Sequence, residues 1–173
     1  MFYAPIRNYV PGKTLPDGTT TVNYFSPIMV LNYNRKKIMF TGDASITSEE
    51  EVMAKTTLPK VDILKVGHHG SKNSSGQAFL NQITPKIAVI SVGEGNKYGH
   101  PTTEALNRLA SVGADIYRTD KNGNVVANVA SGAVADIIVK YDSSGKFYIR
   151  VEYIMFGAIC ISFYFCFATK KQK

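Results

Sequence analysis

Residues 60–93, "KVDILKVGHHGSKNSSGQAFLNQITPKIAVISVG", decide the architecture. "KVDILKVG" is nearly continuous in apolar residues, as a strand covered on both faces should be. "SGQAFLNQI" then reads as a helix that Ser74 and Gln77 can cap and that stops at Thr84, ahead of Pro85. "KIAVISVG" is a second buried-type strand. Between the first strand and the helix stand two of the chain's three histidines, His68 and His69, flanked by Gly67 and Gly70. Such a pair is either a metal or phosphate site or a polar turn that happens to contain histidines.

The same alternation extends to both sides. Upstream, "PIMVLNY" and "KKIMFTGD" form a hairpin across "NRKK". "ASITSEEEVMAK" follows as a short helix opened by a capping box, Ser48 with Glu51 or Thr47 with Glu50, and ended before Pro59. Downstream, "TTEALNRLASVG" is an amphipathic helix with Leu106, Leu109 and Ala110 at helical spacing and Gly113 at its C-cap. "ADIYRTD" is the next strand, "KNGN" a hairpin turn, and two β runs lie around residues 125–129 and 135–141. Residues 1–23, rich in Pro, Gly and Thr, read as loop with "LPDGTTT" as the clearest turn. Strand and helix alternating from residue 37 to 120 calls for a layered α/β fold. In such sheets the chemistry lies outside the carboxyl ends of the strands, and Asp43, His68, His69 and His100 all fall just after one.

The 173 residues are expected to divide into a globular domain, 1–150, and an apolar tail, 151–173. The net charge of +7 favours acidic partners such as nucleic acid or anionic lipid, although scattered lysines make no dedicated groove. Cys160 and Cys166 both lie in the tail, which argues against a disulfide framework and against a Cys-ligated zinc knuckle. The run "YIMFGAICISFYFCFA", residues 153–168, carries no charge and precedes "TKKQK". It reads as a membrane anchor at the short end of the roughly 17–25 residues a span needs, or as a core strand or helix. If it spans, the lysines belong inside and the domain outside the cytoplasm; otherwise the chain is secreted or cytoplasmic. No signal peptide is visible at the N-terminus.

Three short motifs carry chemistry. In "FTGD", Asp43 is either a turn residue or a carboxylate suited to bridge two divalent cations. In "GHHGS", the glycines permit a bend that lets one histidine bind metal while the other handles a proton or a phosphate oxygen. Ser71, Ser74 and Ser75 then sit at a helix start, where backbone amides favour phosphate or capping alone. In "SVGEGNKYGHP", the glycines at 93, 95 and 99 fit neither GxGxxG nor a P-loop, which excludes nucleotide binding by either motif. His100 stands on a loop from which it reaches the same strand-end cleft.

Together "VNYFSPIMVLNY", "IMFTGD", "VDILKVGHHGSKNSS", "PKIAVISVGEGNKYGHP" and "IYRTDKNG" resemble the C-terminal half of a metallo-β-lactamase-fold hydrolase. The likeness is to the soluble domain of ComEC/Rec-type DNA-uptake proteins. It implies an αββα sandwich, of which this chain is the C-terminal half, and a centre of two zinc or manganese ions that activates water to cut DNA or another phosphodiester. By position, Asp43 is then the bridging carboxylate and His68 the metal ligand, with His69 orienting or protonating. His100 is either a phosphate-contacting acid or a rival for the last ligand place. The resemblance also marks what is missing: the HxHxDH of the first half has no counterpart in a chain whose histidines are 68, 69 and 100. The expectation is a fragment whose parent is an enzyme, completed by an N-terminal half. The alternative is a non-catalytic, membrane-tethered or surface domain with an incomplete metal site.

Overall fold

The computed structural model describes residues 1–6, 21–130, 133–140, 146–149 and 165–168. Its centre is a six-stranded sheet whose spatial order follows the chain, β1-β2-β3-β4-β5-β6. These strands are β1 (Phe2–Ala4), β2 (Ile28–Tyr33), β3 (Lys36–Phe40), β4 (Ile63–Lys65), β5 (Ile87–Ile90) and β6 (Asp115–Arg118). The first two pairings, β1 with β2 and β2 with β3, are antiparallel. From β3 to β6 every pairing is parallel. Asn34 and Arg35, both at positive φ (46° and 62°), make the two-residue turn of the expected hairpin.

Three helices return the chain between the parallel strands: α2 (Ile46–Lys55), α3 (Gln77–Ile83) and α4 (Thr103–Ser111); α1 (Thr21–Tyr24) is a single turn before the hairpin. Parallel crossovers are right-handed, so strands laid down in one direction put all three helices on one face. That face holds the main core, in which Val52, Phe79, Leu80 and Leu109 pack against Val30, Met39, Leu64, Ala88 and Ile90. The opposite face carries the other half of each strand's alternation. Ile38, Ile63 and Val89 lie there under Val125, Ala127 and Val129 of β7 (Asn124–Ala130). Ile63 and Leu64 thus enter different cores, which explains the unbroken apolar run of β4. β7 pairs with β8 (Ala133–Lys140) as an antiparallel hairpin. This is the mixed α/β layering expected of a metallo-β-lactamase-like fold.

Several local expectations need correction. Residues 1–23 are not all loop: the three residues of β1 pair with β2 at the sheet edge, too short a stretch for any periodicity to reveal. "KNGN" is not a bare hairpin turn, since α5 (Thr119–Asn122) ends there at Gly123. α2 starts earlier than either capping box suggests, because Ser45 is the N-cap and accepts from the Ser48 amide. Ser48 is buried instead of capping the helix start. Of the expected tail anchor, Phe165–Ala168 form a strand, β10, antiparallel to β9 (Lys146–Ile149), and the rest lies outside the described residues. Among the described residues no helix is long and apolar enough to cross a membrane.

The start of α3 is capped from a distance. Gly76 is its N-cap and makes no side-chain cap bond. Instead the fully buried Glu49 of α2 accepts from the amides of Ser75 and Gly76, both at 2.8 Å. Arg108 of α4 closes the other side by donating to the carbonyls of Lys72, Ser74 and Ser75, each at 2.9 Å. Two helices therefore grip the loop that follows the histidine pair. Burial pushes the Glu49 carboxyl up to about 8 from 4.5, with the Gly76 and Ser75 amides and then Arg108 pulling the other way.

A raised carboxyl makes the folded chain hold a proton that the unfolded chain has already lost, so stability falls as pH rises through that window. Urea unfolding from pH 5 to pH 8 is expected to show a declining midpoint, on the order of a few kcal/mol for such a buried group. In Glu49→Gln that decline flattens; an identical pH profile in both proteins would contradict the assignment.

Candidate functional site

Because β3, β4, β5 and β6 run parallel, the turns that follow them open on one edge of the sheet. After β3 comes Thr41-Gly42-Asp43, closed by the Ala44 amide donating to the Thr41 carbonyl (3.0 Å). Gly42 takes a positive φ of 52°. The Asp43 amide donates to Ser26 Oγ at 3.1 Å, leaving a half-buried carboxylate at the strand end.

After β4, residues Gly67–Gly70 make one turn of 3₁₀ type in which both histidines are left-handed, His68 at φ 46° and ψ 45°, His69 at φ 54° and ψ 23°. Such conformations are strained for residues other than glycine, and surrounding contacts must hold them. Those contacts are present. The His68 amide donates to the Gly42 carbonyl at 2.9 Å, and the Ser71 amide closes back on the His68 carbonyl at 2.9 Å. Gly67 lies where a Cβ would meet Thr41 Oγ1 at 3.0 Å. Gly70, at φ 82°, lies where a Cβ would come within 2.5 Å of Pro101. Its carbonyl accepts from the Thr102 amide at 2.9 Å. The three strand-end turns are thus bonded to one another through the histidine turn.

The bend solves the problem of two adjacent histidines. Their ring centroids are 6.4 Å apart, and His68 lies 5.6 Å from His100, edge to face. His69 is exposed, and its Nδ1 sits 2.6 Å from the Ser91 carbonyl. A carbonyl only accepts, so Nδ1 carries the proton and Nε2 keeps its lone pair in the neutral ring. His68 Nδ1 is buried with no hydrogen-bond partner. The His100 imidazole is held below the ordinary histidine range by burial and then by His68 and His69, with Asp43 pulling it back.

Lys65, which the sequence reading passed over, ends β4 on the face shared with Ile63 and Val89, and its Nζ donates to the Val66 carbonyl at 2.9 Å. Burial lowers its ammonium to about 8, and Asp43 opposes this. The strand alternation of "DILKVG" carried the only signal for it, since a lysine in step with Ile63 on a covered face is out of place there.

The expected phosphate-contacting serines lie deeper. Ser71, Ser74 and Ser75 are all buried. Ser74 Oγ donates to the Ala44 carbonyl at 2.5 Å, Ser71 Oγ accepts from the Asn73 amide, and Ser75 Oγ has no partner. The amides at the start of α3 already hold the Glu49 carboxyl.

The orphaned His68 nitrogen is a donor atom suited to a divalent ion, but one nitrogen is not a site. Among the described residues no three His, Cys, Asp or Glu side chains converge as a metal-holding group. A nitrogen- and oxygen-ligated two-metal centre draws on several histidines and carboxylates. Asp43, His68 and His100 therefore do not by themselves fit a pair of ions.

Residues 26–94 match the metallo-beta-lactamase superfamily. ComE operon protein 3 of Bacillus subtilis is 45% identical over 87 residues, 50% of this chain and 11% of that protein. Recombination protein 2 of Haemophilus influenzae is 34% identical over 110 residues, 64% of this chain and 14% of that protein. Competence protein ComA of Neisseria gonorrhoeae is 37% identical over 98 residues, 56% of this chain and 14% of that protein. The chain spans only a small part of the length of these relatives. The six-stranded sheet and its helices agree with the match of residues 26–94 to the metallo-beta-lactamase superfamily, a match that covers less than half of the chain.

The packing of Gly70 on Pro101 joins the histidine turn to the His100 loop. Gly70→Ala, which adds a Cβ at a positive φ and into Pro101, is expected to cost about 2 kcal/mol or more in urea unfolding. An unchanged midpoint would show that the two turns are not locked together.

Proposed function

We propose that this chain supplies one wall of a metal-dependent phosphodiester-cleaving centre that acts on DNA during uptake into the cell. The observation that carries the reading is the interlocked set of strand-end turns, which gathers Asp43, His68, His69 and His100 at one edge of the sheet. The names of the relatives, two of them competence or ComE-operon proteins, support the biological setting. The net charge of +7 suits a polyanionic partner.

Within this reading, Asp43 and His68 are the residues directed to zinc or manganese, and further donors come from a complementing half. His69 presents an unprotonated Nε2 while Ser91 fixes its ring, as a group that accepts or returns a proton must. His100 contacts the phosphate or completes the ligand set. A second reading, a non-catalytic surface domain that has kept the wall without the activity, is favoured by the lack of three converging donors among the described residues.

One assay separates them. The purified chain, incubated with labelled duplex and single-stranded DNA and manganese or zinc, is expected to cleave neither. Adding the segment of the B. subtilis relative that immediately precedes its matched region is expected to produce metal-stimulated cleavage, lost by about 100-fold or more in Asp43→Ala. Cleavage by the chain alone, no cleavage after complementation, or cleavage indifferent to Asp43→Ala would contradict the proposal.

A further inference from the structure

The loop between β5 and α4 contains the most exposed aromatic side chain near the histidines. Tyr98 is 71% exposed, although its ring lies against His100 at 26° with centroids 6.1 Å apart. One ring face is therefore turned to an imidazole of the cleft and the other to solvent.

The loop that presents it is built, not slack. Asn96 Nδ2 donates to the carbonyls of His100 (2.6 Å) and Gly93 (3.2 Å), and its Oδ1 accepts from the His100 amide at 3.0 Å. One side chain thus ties both ends of the segment that holds Tyr98. Gly95 and Gly99 take positive φ values of 64° and 68°, yet a Cβ on either would meet nothing within 4 Å. These glycines serve the shape of the loop and not its packing. Lys97, beside the tyrosine, is exposed, as is Glu94 at the loop's start.

A ring held by a tied loop with one face open offers a flat surface for stacking, and the neighbouring cation favours an anionic partner. We propose that Tyr98 and Lys97 form a platform for single-stranded DNA at the rim of the cleft, one base stacking on the outer face of Tyr98 and the adjoining phosphate pairing with Lys97. Duplex bases are already stacked on both faces, so the platform selects an unpaired base. Such stacking tolerates any base, because every base has a π-face, and it leaves sequence unread. The platform places the next phosphate of the strand beside His100. The inference rests on the DNA reading above and adds the strand type and the residues that grip it.

The chain contains ten tyrosines and no tryptophan, so Tyr98→Trp introduces a single tryptophan at the platform, excited selectively at the red edge of its absorption. Oligo(dT) of fifteen nucleotides is expected to quench it strongly, while an abasic oligomer of the same length and charge leaves it nearly unchanged. By fluorescence anisotropy, Tyr98→Ala is expected to bind labelled oligo(dT) about tenfold more weakly, and Tyr98→Phe as the parent does. Lys97→Ala is expected to reduce the dependence of log affinity on log salt by about 0.7, the share of one single-strand phosphate contact. Equal quenching by the two oligomers, or equal affinity of Tyr98→Ala and the parent, would overturn the platform while leaving the DNA reading intact. Failure of the parent chain to bind either oligomer would overturn both.

Discussion

The hydrogen bond from the His68 amide to the Gly42 carbonyl, 2.9 Å long, is the constraint on which the site depends. It ties the turn after β3 to the turn after β4 and holds two successive histidines in left-handed conformations that they adopt reluctantly. Without the bend, adjacent side chains would leave an extended strand on opposite sides. With it, His68 faces His100 and His69 leans on the Ser91 carbonyl. Gly67 and Gly70 are part of the same constraint, because a Cβ at Gly67 would press on Thr41 Oγ1 and one at Gly70 would collide with Pro101. Parallel strand order, glycine placement and histidine geometry are therefore one arrangement seen at three scales.

Buried polar groups reinforce it from behind. Glu49 is buried between α2 and the loop that leaves the histidine turn, and it caps α3 across the helix layer while Arg108 grips the loop's carbonyls. Lys65 lies on the opposite face of the sheet and feels Asp43. Buried ionisable groups are costly unless they hold something in place. Here Glu49 and Arg108 shape the loop, and the lysine stands within electrostatic reach of Asp43 at the strand ends. On the proposed reading, a polyanion at this edge would meet the exposed His69, Lys97 and Tyr98 before the buried His68 nitrogen.

Much of this was legible from residue order. The apolar run of "VDILKVG" announces a strand covered on both faces, and the structure places Ile63 and Leu64 in separate cores. The hairpin across "NRKK", the helix in "TTEALNRLASVG" and the position of Asp43, His68, His69 and His100 after the strands were readable from local pattern. The structure closes the hairpin at Asn34 and Arg35 and caps the helix with Thr102. What escaped was tertiary. Ser74 and Gln77 look like a local cap for α3, yet the cap comes from Glu49, 26 residues before Ser75. Ser48 and Glu51 look like a capping box, but Ser45 begins the helix and Ser48 turns inward to Tyr24. β1 was hidden because three residues carry no period. Lys65 was hidden because a lysine in a strand draws no notice until the face it occupies is known.

The central claim is that the strand-end turns hold these four residues as a single wall. With only three histidines, the imidazole region of a proton NMR spectrum gives one set of ring signals per site. The His68 and His100 ring protons are predicted to show mutual nuclear Overhauser contacts in the parent chain, and Gly70→Ala is predicted to weaken those contacts and to shift the His69 ring signals with them. Absence of the contacts in the parent, or contacts that survive Gly70→Ala unchanged, would contradict the account.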